Sequence, residues 1–85
     1  MKLSFSSVKS ATEFYAALRK QARLDEFGDN LDALHDFLTT DLKGPATIEW
    51  PHAAADGARD KALAQILMVI RSAAKERRDL ELNLG

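Results

Sequence analysis

Asp32, His35 and Asp36 are the residues of this chain whose types and spacing best fit chemistry. On a helix, Asp32 and Asp36 are four residues apart and lie one above the other, with His35 three residues from Asp32 and close to the same face. Three kinds of chemistry use such a set. Carboxylates and imidazole ligate divalent metals, but only three donors are at hand and no supporting motif accompanies them, so no metal site is expected. An Asp-His pair can move protons for a nucleophile. No nucleophile neighbours His35, however, and His52 sits in a patternless stretch, so the chain is not expected to be an enzyme. The third use is to accept charge-assisted hydrogen bonds from a basic partner.

The helix has little stability reason to hold both acids. Asp32 in the first turn complements the helix dipole, but Asp36 lies a turn deeper, and like charges at this spacing cost a few tenths of a kcal/mol. A helix selected for stability alone would more often carry Lys or Arg at one of the two positions. A solvated acidic face and a protein-binding face both account for the pattern.

The charge distribution extends it. The chain has 85 residues and a formal net charge of −1. The window Asp25 to Asp41 holds six acids (Asp25, Glu26, Asp29, Asp32, Asp36, Asp41) and no Lys or Arg. All twelve cations and the other seven acids lie outside it, a formal +5. Such polarisation bears on partners and association rates rather than on fold. Arg71, Lys75, Arg77 and Arg78 cluster at the end of the last helix, where cations suit the helix C-terminus. With no glycine-rich phosphate loop or RNA-binding aromatic motif, neither nucleic-acid binding nor a cofactor is expected.

The elements that must position these residues follow from periodicity. Met1 to Phe5 alternates, with Met1, Leu3 and Phe5 on one side, and reads as a strand. Ser10-Ala11-Thr12-Glu13 fits a capping box, opening a helix with Phe14, Tyr15, Leu18 and Ala22 inward. After a break at Gly28, Asp29 or Asn30 caps a second helix to about Leu42, with Leu31, Leu34, Leu38, Leu42 and Phe37 inward. Gly44-Pro45 ends it, Ala46 to Trp50 is a strand, and Pro51 stops that strand. Residues 52–58 carry little pattern and are expected to be a loop or a single helical turn. Asp60 caps the longest helix, to about Arg77, with Leu63, Ile66, Leu67, Ile70, Ala73 and Ala74 buried. Leu80, Leu82 and Leu84 alternate in a final strand. Strands separated by helices imply parallel pairing with right-handed crossovers. The expectation is a single α/β domain over residues 1–85: a three-stranded parallel sheet packed by three to four helices.

Composition limits the rest. A chain this short buries only about 60–65% of its unfolded surface, and its 46% apolar and 29% charged residues are ordinary for a globular protein. The absence of cysteine excludes disulfides and thiolate zinc sites and fits a reducing cytoplasm. Met1 to Val8 lacks the pattern of a secretory signal. Ile66 to Ile70, the longest apolar run, is too short to span a bilayer.

The run Phe27-Gly28-Asp29-Asn30-Leu31-Asp32-Ala33-Leu34-His35-Asp36-Phe37-Leu38-Thr39 resembles the signature of the barstar family, an aromatic-Gly-acid-Asn-Leu-Asp-Ala-Leu-Trp-Asp-x-Leu stretch. Pro45 and Ile48-Glu49-Trp50 are similar to that family's second strand. Val69-Ile70-Arg71 and Asp79-Leu80-Glu81-Leu82 align once one residue is dropped near Ala55, so the resemblance spans essentially the whole chain. It implies a three-stranded parallel sheet packed by helices and an intracellular, antitoxin-like inhibitor, monomeric when free, that plugs a secretory-type ribonuclease. The basic enzyme groove would receive Asp36 as the deepest phosphate mimic and Asp32 a turn earlier. Phe27, Gly28, Asn30 and Leu31 would press against the enzyme, with His35, Thr40, Val69 and Ser72 completing the contact surface.

Departures from the family pattern fall at the rim. His35 stands where many members have Trp, and Glu26 replaces an aromatic. Thr40 and Asp41 replace a Gly-Trp pair, and Ser72 replaces a glutamate that pairs with an enzyme cation. The pattern implies the same class of interaction with a different partner; the alternative is a non-inhibitory module that docks on another basic protein through the same face.

Overall fold

The computed structural model describes residues 1–6 and 8–85. Three strands, β1 (Lys2–Ser4), β2 (Ala46–Trp50) and β3 (Leu80–Leu84), form one parallel sheet in the order β1-β2-β3. Alternation decides its faces. Leu3, Ile48 and Leu82 lie in register on the inner face, with Ala46, Trp50, Leu80 and Leu84. Lys2, Thr47 and Glu81 share the outer face, as do Ser4, Glu49 and Asn83, and the Lys2 ammonium pairs with Glu49 at 3.1 Å. Met1 does not join Leu3 and Phe5 inside as its spacing suggested: it is 50% exposed. Its charged amino group donates to the Pro45 carbonyl at 2.9 Å at the sheet edge, which keeps the ion in water.

Helix α1 (Ala11–Ala22) is capped by the Ser10 hydroxyl, which accepts from the Glu13 amide at 3.2 Å. Glu13 reaches back one residue further than a capping box requires, to the Lys9 amide. Phe14 and Tyr15 face inward, and Phe14 stacks on Phe5 (4.5 Å between centroids) and on Trp50 (5.4 Å). Residues 52–58 are a correction. Helix α3 (Ala53–Arg59) is longer than a loop or single turn. Its alanines are strong helix formers, and Asp56 anchors it by accepting the Trp50 indole N–H at 2.8 Å. Periodicity could not reveal it, because Ala53 alone of α3 is buried.

Helix α4 (Lys61–Glu76) starts at Asp60, whose carboxylate accepts the Ala62 and Leu63 amides at 2.8 and 3.3 Å. Leu63, Ile66, Leu67, Ile70 and Ala73 are buried, whereas Ala74 is only half-buried. The second helix lies against α4. It is regular only over α2 (Leu31–Asp36) and then widens into a π-helical turn over Phe37–Asp41, closed by the Leu42 amide on the Phe37 carbonyl at 2.8 Å. The Thr39 hydroxyl donates to the His35 carbonyl at 2.8 Å, a back-bond that bends helices where the widening begins.

Candidate functional site

Asn30 builds the start of α2. Its backbone is extended and its side-chain oxygen accepts the Ala33 amide at 2.8 Å, so Asn30 and not Asp29 is the cap. Gly28 has no positive φ. It serves by lacking a side chain, since a Cβ there would stand 2.9 Å from the Asn30 amide nitrogen and crowd the cap. Leu34, Phe37 and Leu38 are buried, which rotates Asp32 and Asp36 outward to exposed positions one turn apart.

The acids of this region are not equivalent. Asp29 is held by the Arg19 guanidinium reaching across from α1. The Asp25–Asp41 stretch is therefore free of cations in sequence but not in space. Asp32 and Asp36 make no ion pair or side-chain hydrogen bond among the described residues. Two unpaired carboxylates beside one another concentrate negative potential. Tyr15, beside Asp29 rather than these two acids, has its phenol pushed up from the ordinary value, first by burial and then by the Asp29 carboxylate.

His35 is not free. Its Nε2 lies 2.6 Å from the Glu76 carboxylate, joining α2 to the last turn of α4. Both side chains remain half-exposed, at 42% and 53%. Among the described residues no three His, Asp or Glu side chains gather as a metal site, and no helix is long and apolar enough to cross a membrane.

The structure spreads the other predicted contact residues around the two acids. Gly28, Asn30 and Thr40 are exposed, and Leu31 is half-buried. Phe27 is half-buried with its ring against Tyr15 (6.1 Å) and Phe37 (6.3 Å), so part of it belongs to the core. On α4, Val69 is half-buried and Ser72 exposed; with Glu76 they repeat at three- and four-residue spacing and share one face.

Two supporting residues escaped the sequence reading. Glu76 had no visible link to His35 across 41 residues. The sequence groups Arg77 with Arg71, Lys75 and Arg78 as a cation at the helix C-terminus. Instead α4 stops at Glu76, Arg77 adopts extended backbone, and its Nη1 donates to the Leu38 and Leu42 carbonyls at 2.8 and 2.6 Å. Asp79 holds the other edge of the guanidinium at 2.8 and 2.9 Å. That hydrogen-bonded pairing raises the Arg77 value and pulls the Asp79 carboxyl below the usual range. A side chain at Gly44 would overlap the Asp79 carboxylate, so this glycine is required for the fork to form.

No match to an individual curated protein sequence was found. The family described as Barstar (barnase inhibitor) matches residues 1–84. The three-stranded parallel sheet and its packing helices agree with that match. With the match running over essentially its whole length, the chain belongs to the barstar family.

Proposed function

We propose that this protein inhibits a barnase-type ribonuclease by inserting the exposed face of α2 into the enzyme's basic groove. The observation that carries the reading is the pair Asp32 and Asp36, exposed, unpaired and one turn apart on a helix held by the Asn30 cap and the buried Leu34 and Leu38. A groove that holds an RNA backbone presents Arg, Lys and His. A carboxylate on a rigid helix takes a phosphate's place there and accepts several charge-assisted bonds. Rigidity matters because little ordering entropy is then lost on binding. Phe27, Gly28 and Asn30 precede the two acids in the loop and cap, Leu31 and His35 share the α2 face toward α4 that carries Val69 and Ser72, and Thr40 follows in the next turn. The inhibitor acts as a monomer in the cytoplasm that must be protected, through protein contact alone.

A second reading has two observations in its favour. His35 is tied to Glu76, and Ser72 offers no carboxylate, so the rim suits a basic protein whose surface differs from barnase.

The test is titration of the purified protein against barnase, with residual ribonuclease activity and Kd as readouts. Asp36→Ala is expected to cost about 3–5 kcal/mol, the general cost of orphaning a buried charge, or more than a hundredfold in Kd. Asp29→Ala, which removes a surface pair with Arg19, should cost no more than about 1 kcal/mol. Equal small losses would remove the phosphate-mimic role of Asp36. Tight binding that leaves ribonuclease activity intact would favour the second reading.

A further inference from the structure

Beside Asp32 lies a groove of about 500 Å³, bounded by α1, the start of α2 and α4. Tyr15, Leu31 and Ile66 supply an apolar floor, while Asp32 and Gln65 stand at its rim. Among the described residues no Lys, Arg or His lines it. Asp29, at its edge, is already held by Arg19, which leaves Asp32 as the unpaired charge at the mouth. An apolar trough ending in a free carboxylate matches one kind of side chain, an arginine or lysine. Such a residue buries its aliphatic stem and keeps its charged head at the polar end.

The groove is continuous with the α2 face. Ala62, Gln65, Val69, Ser72 and Glu76 follow one another at spacings of three and four along α4, forming the stripe that borders α2. Within the stripe itself there is no cation, and Arg71 and Lys75 of the same helix fall off it; Lys61, one turn before Gln65, is exposed at the start of α4 and is not among the residues lining the groove. At one end it meets Asp32 across the groove; at the other, Glu76 meets His35.

We propose that this groove receives an arginine or lysine side chain of the basic partner, and that Gln65 is a specificity-determining residue at its rim. The inference rests on the inhibitor reading for the partner's chemistry. It adds the N-terminal half of α4 to the contact surface, which no resemblance or motif assigned. Gln65 and Asp32 are exposed, so substitutions at either leave the core untouched.

A hexa-arginine peptide titrated into the isotope-labelled protein tests the groove without a nuclease. The amides of Ala62 and Gln65 and the Gln65 side-chain amide should shift saturably. The shifts should survive Asp36→Asn and be lost in Asp32→Asn and Gln65→Lys. Shifts confined to the surroundings of Asp36, or none at all, overturn the proposal. In a second arm, Gln65→Lys should raise the Kd for barnase at least about tenfold, because a cation would then face a cation. An unchanged Kd overturns the groove while leaving the inhibitor reading intact. Wild-type protein that binds neither barnase nor other basic ribonucleases of its type removes that reading, and the peptide titration alone then decides the groove.

Discussion

Replacing Arg77 with Met should be among the most damaging single changes outside the apolar core. Two acceptors lose their donor, the carbonyls of Leu38 and Leu42, at 2.8 and 2.6 Å from Nη1. Hydrogen bonds from a charged donor contribute about 1.5–3 kcal/mol each, so the pair bounds the loss at about 3–6 kcal/mol. The side chain is 13% exposed, and water will solvate part of what is uncovered, which places the expected loss near the lower limit, about 3 kcal/mol. A domain of this size has about 4–13 kcal/mol in total. For domains of under a hundred residues about 3 kcal/mol corresponds to a fall in Tm of about 15 °C. Trp50 is the single tryptophan and is fully buried, so its fluorescence reports urea unfolding directly. Arg77→Met should lower the midpoint with an unchanged m-value. Arg77→Lys should be intermediate, since an ammonium lacks the planar fork that serves two carbonyls and a carboxylate together. Asp79→Asn should cost less than either, because the carbonyl bonds survive it. Arg77→Met within about 0.5 kcal/mol of wild type, the range of ordinary surface changes, would refute the assignment of Arg77 as the clamp on the π-helical turn. So would an Asp79→Asn loss as large as that of Arg77→Met.

Other consequences are open to simpler checks. The Asp79 carboxyl is held low by Arg77, so it contributes stability that is present above the unfolded carboxylate value of about 3.9 and is lost as pH falls through its lower folded value. Unfolding free energies between pH 2 and 5 should show that acid limb in wild type and a shallower one in Asp79→Asn; superimposable curves would contradict the pairing. Asp56→Ala should cost about 1–2 kcal/mol by orphaning the buried Trp50 indole N–H, with a shift in Trp50 emission; an unaltered spectrum would argue against the anchor. Association with a basic nuclease should slow as salt is raised from 50 to 500 mM, as it does for steered complexes, of which barnase–barstar is itself a standard example. A salt-independent on-rate in stopped flow would exclude steering by the Asp32 and Asp36 face.

Much of this protein is legible in one dimension because periodicity is a local property. Alternation in Leu80, Leu82 and Leu84 and the Leu34–Leu38–Leu42 stripe announce elements whose bounds differ little from those observed. Caps are local as well: Ser10, Asn30 and Asp60 each close a bond to an amide within three residues. The candidate acids were visible for the same reason, since Asp32 and Asp36 share a face in any helix. Helix α3 was not legible, because a run of alanines on a surface helix has no apolar stripe to detect and its anchor to Trp50 depends on the packed sheet.

Sequence alone thus determined every element but α3, the parallel α/β architecture and the outward placement of two carboxylates, all consequences of interactions spanning a few residues. Tertiary structure decided which charges remain available. Arg19 crosses from α1 to hold Asp29, Glu76 meets His35 over 41 residues, and Arg77 leaves the end of α4 to clamp the π-helical turn. Charge pairing is set by distance in space, weakening as charges separate and as salt screens them. A cation-free stretch of six acids therefore becomes, on folding, one tied aspartate and five carboxylates with no partner among the described residues, of which Asp32 and Asp36 share one helix face.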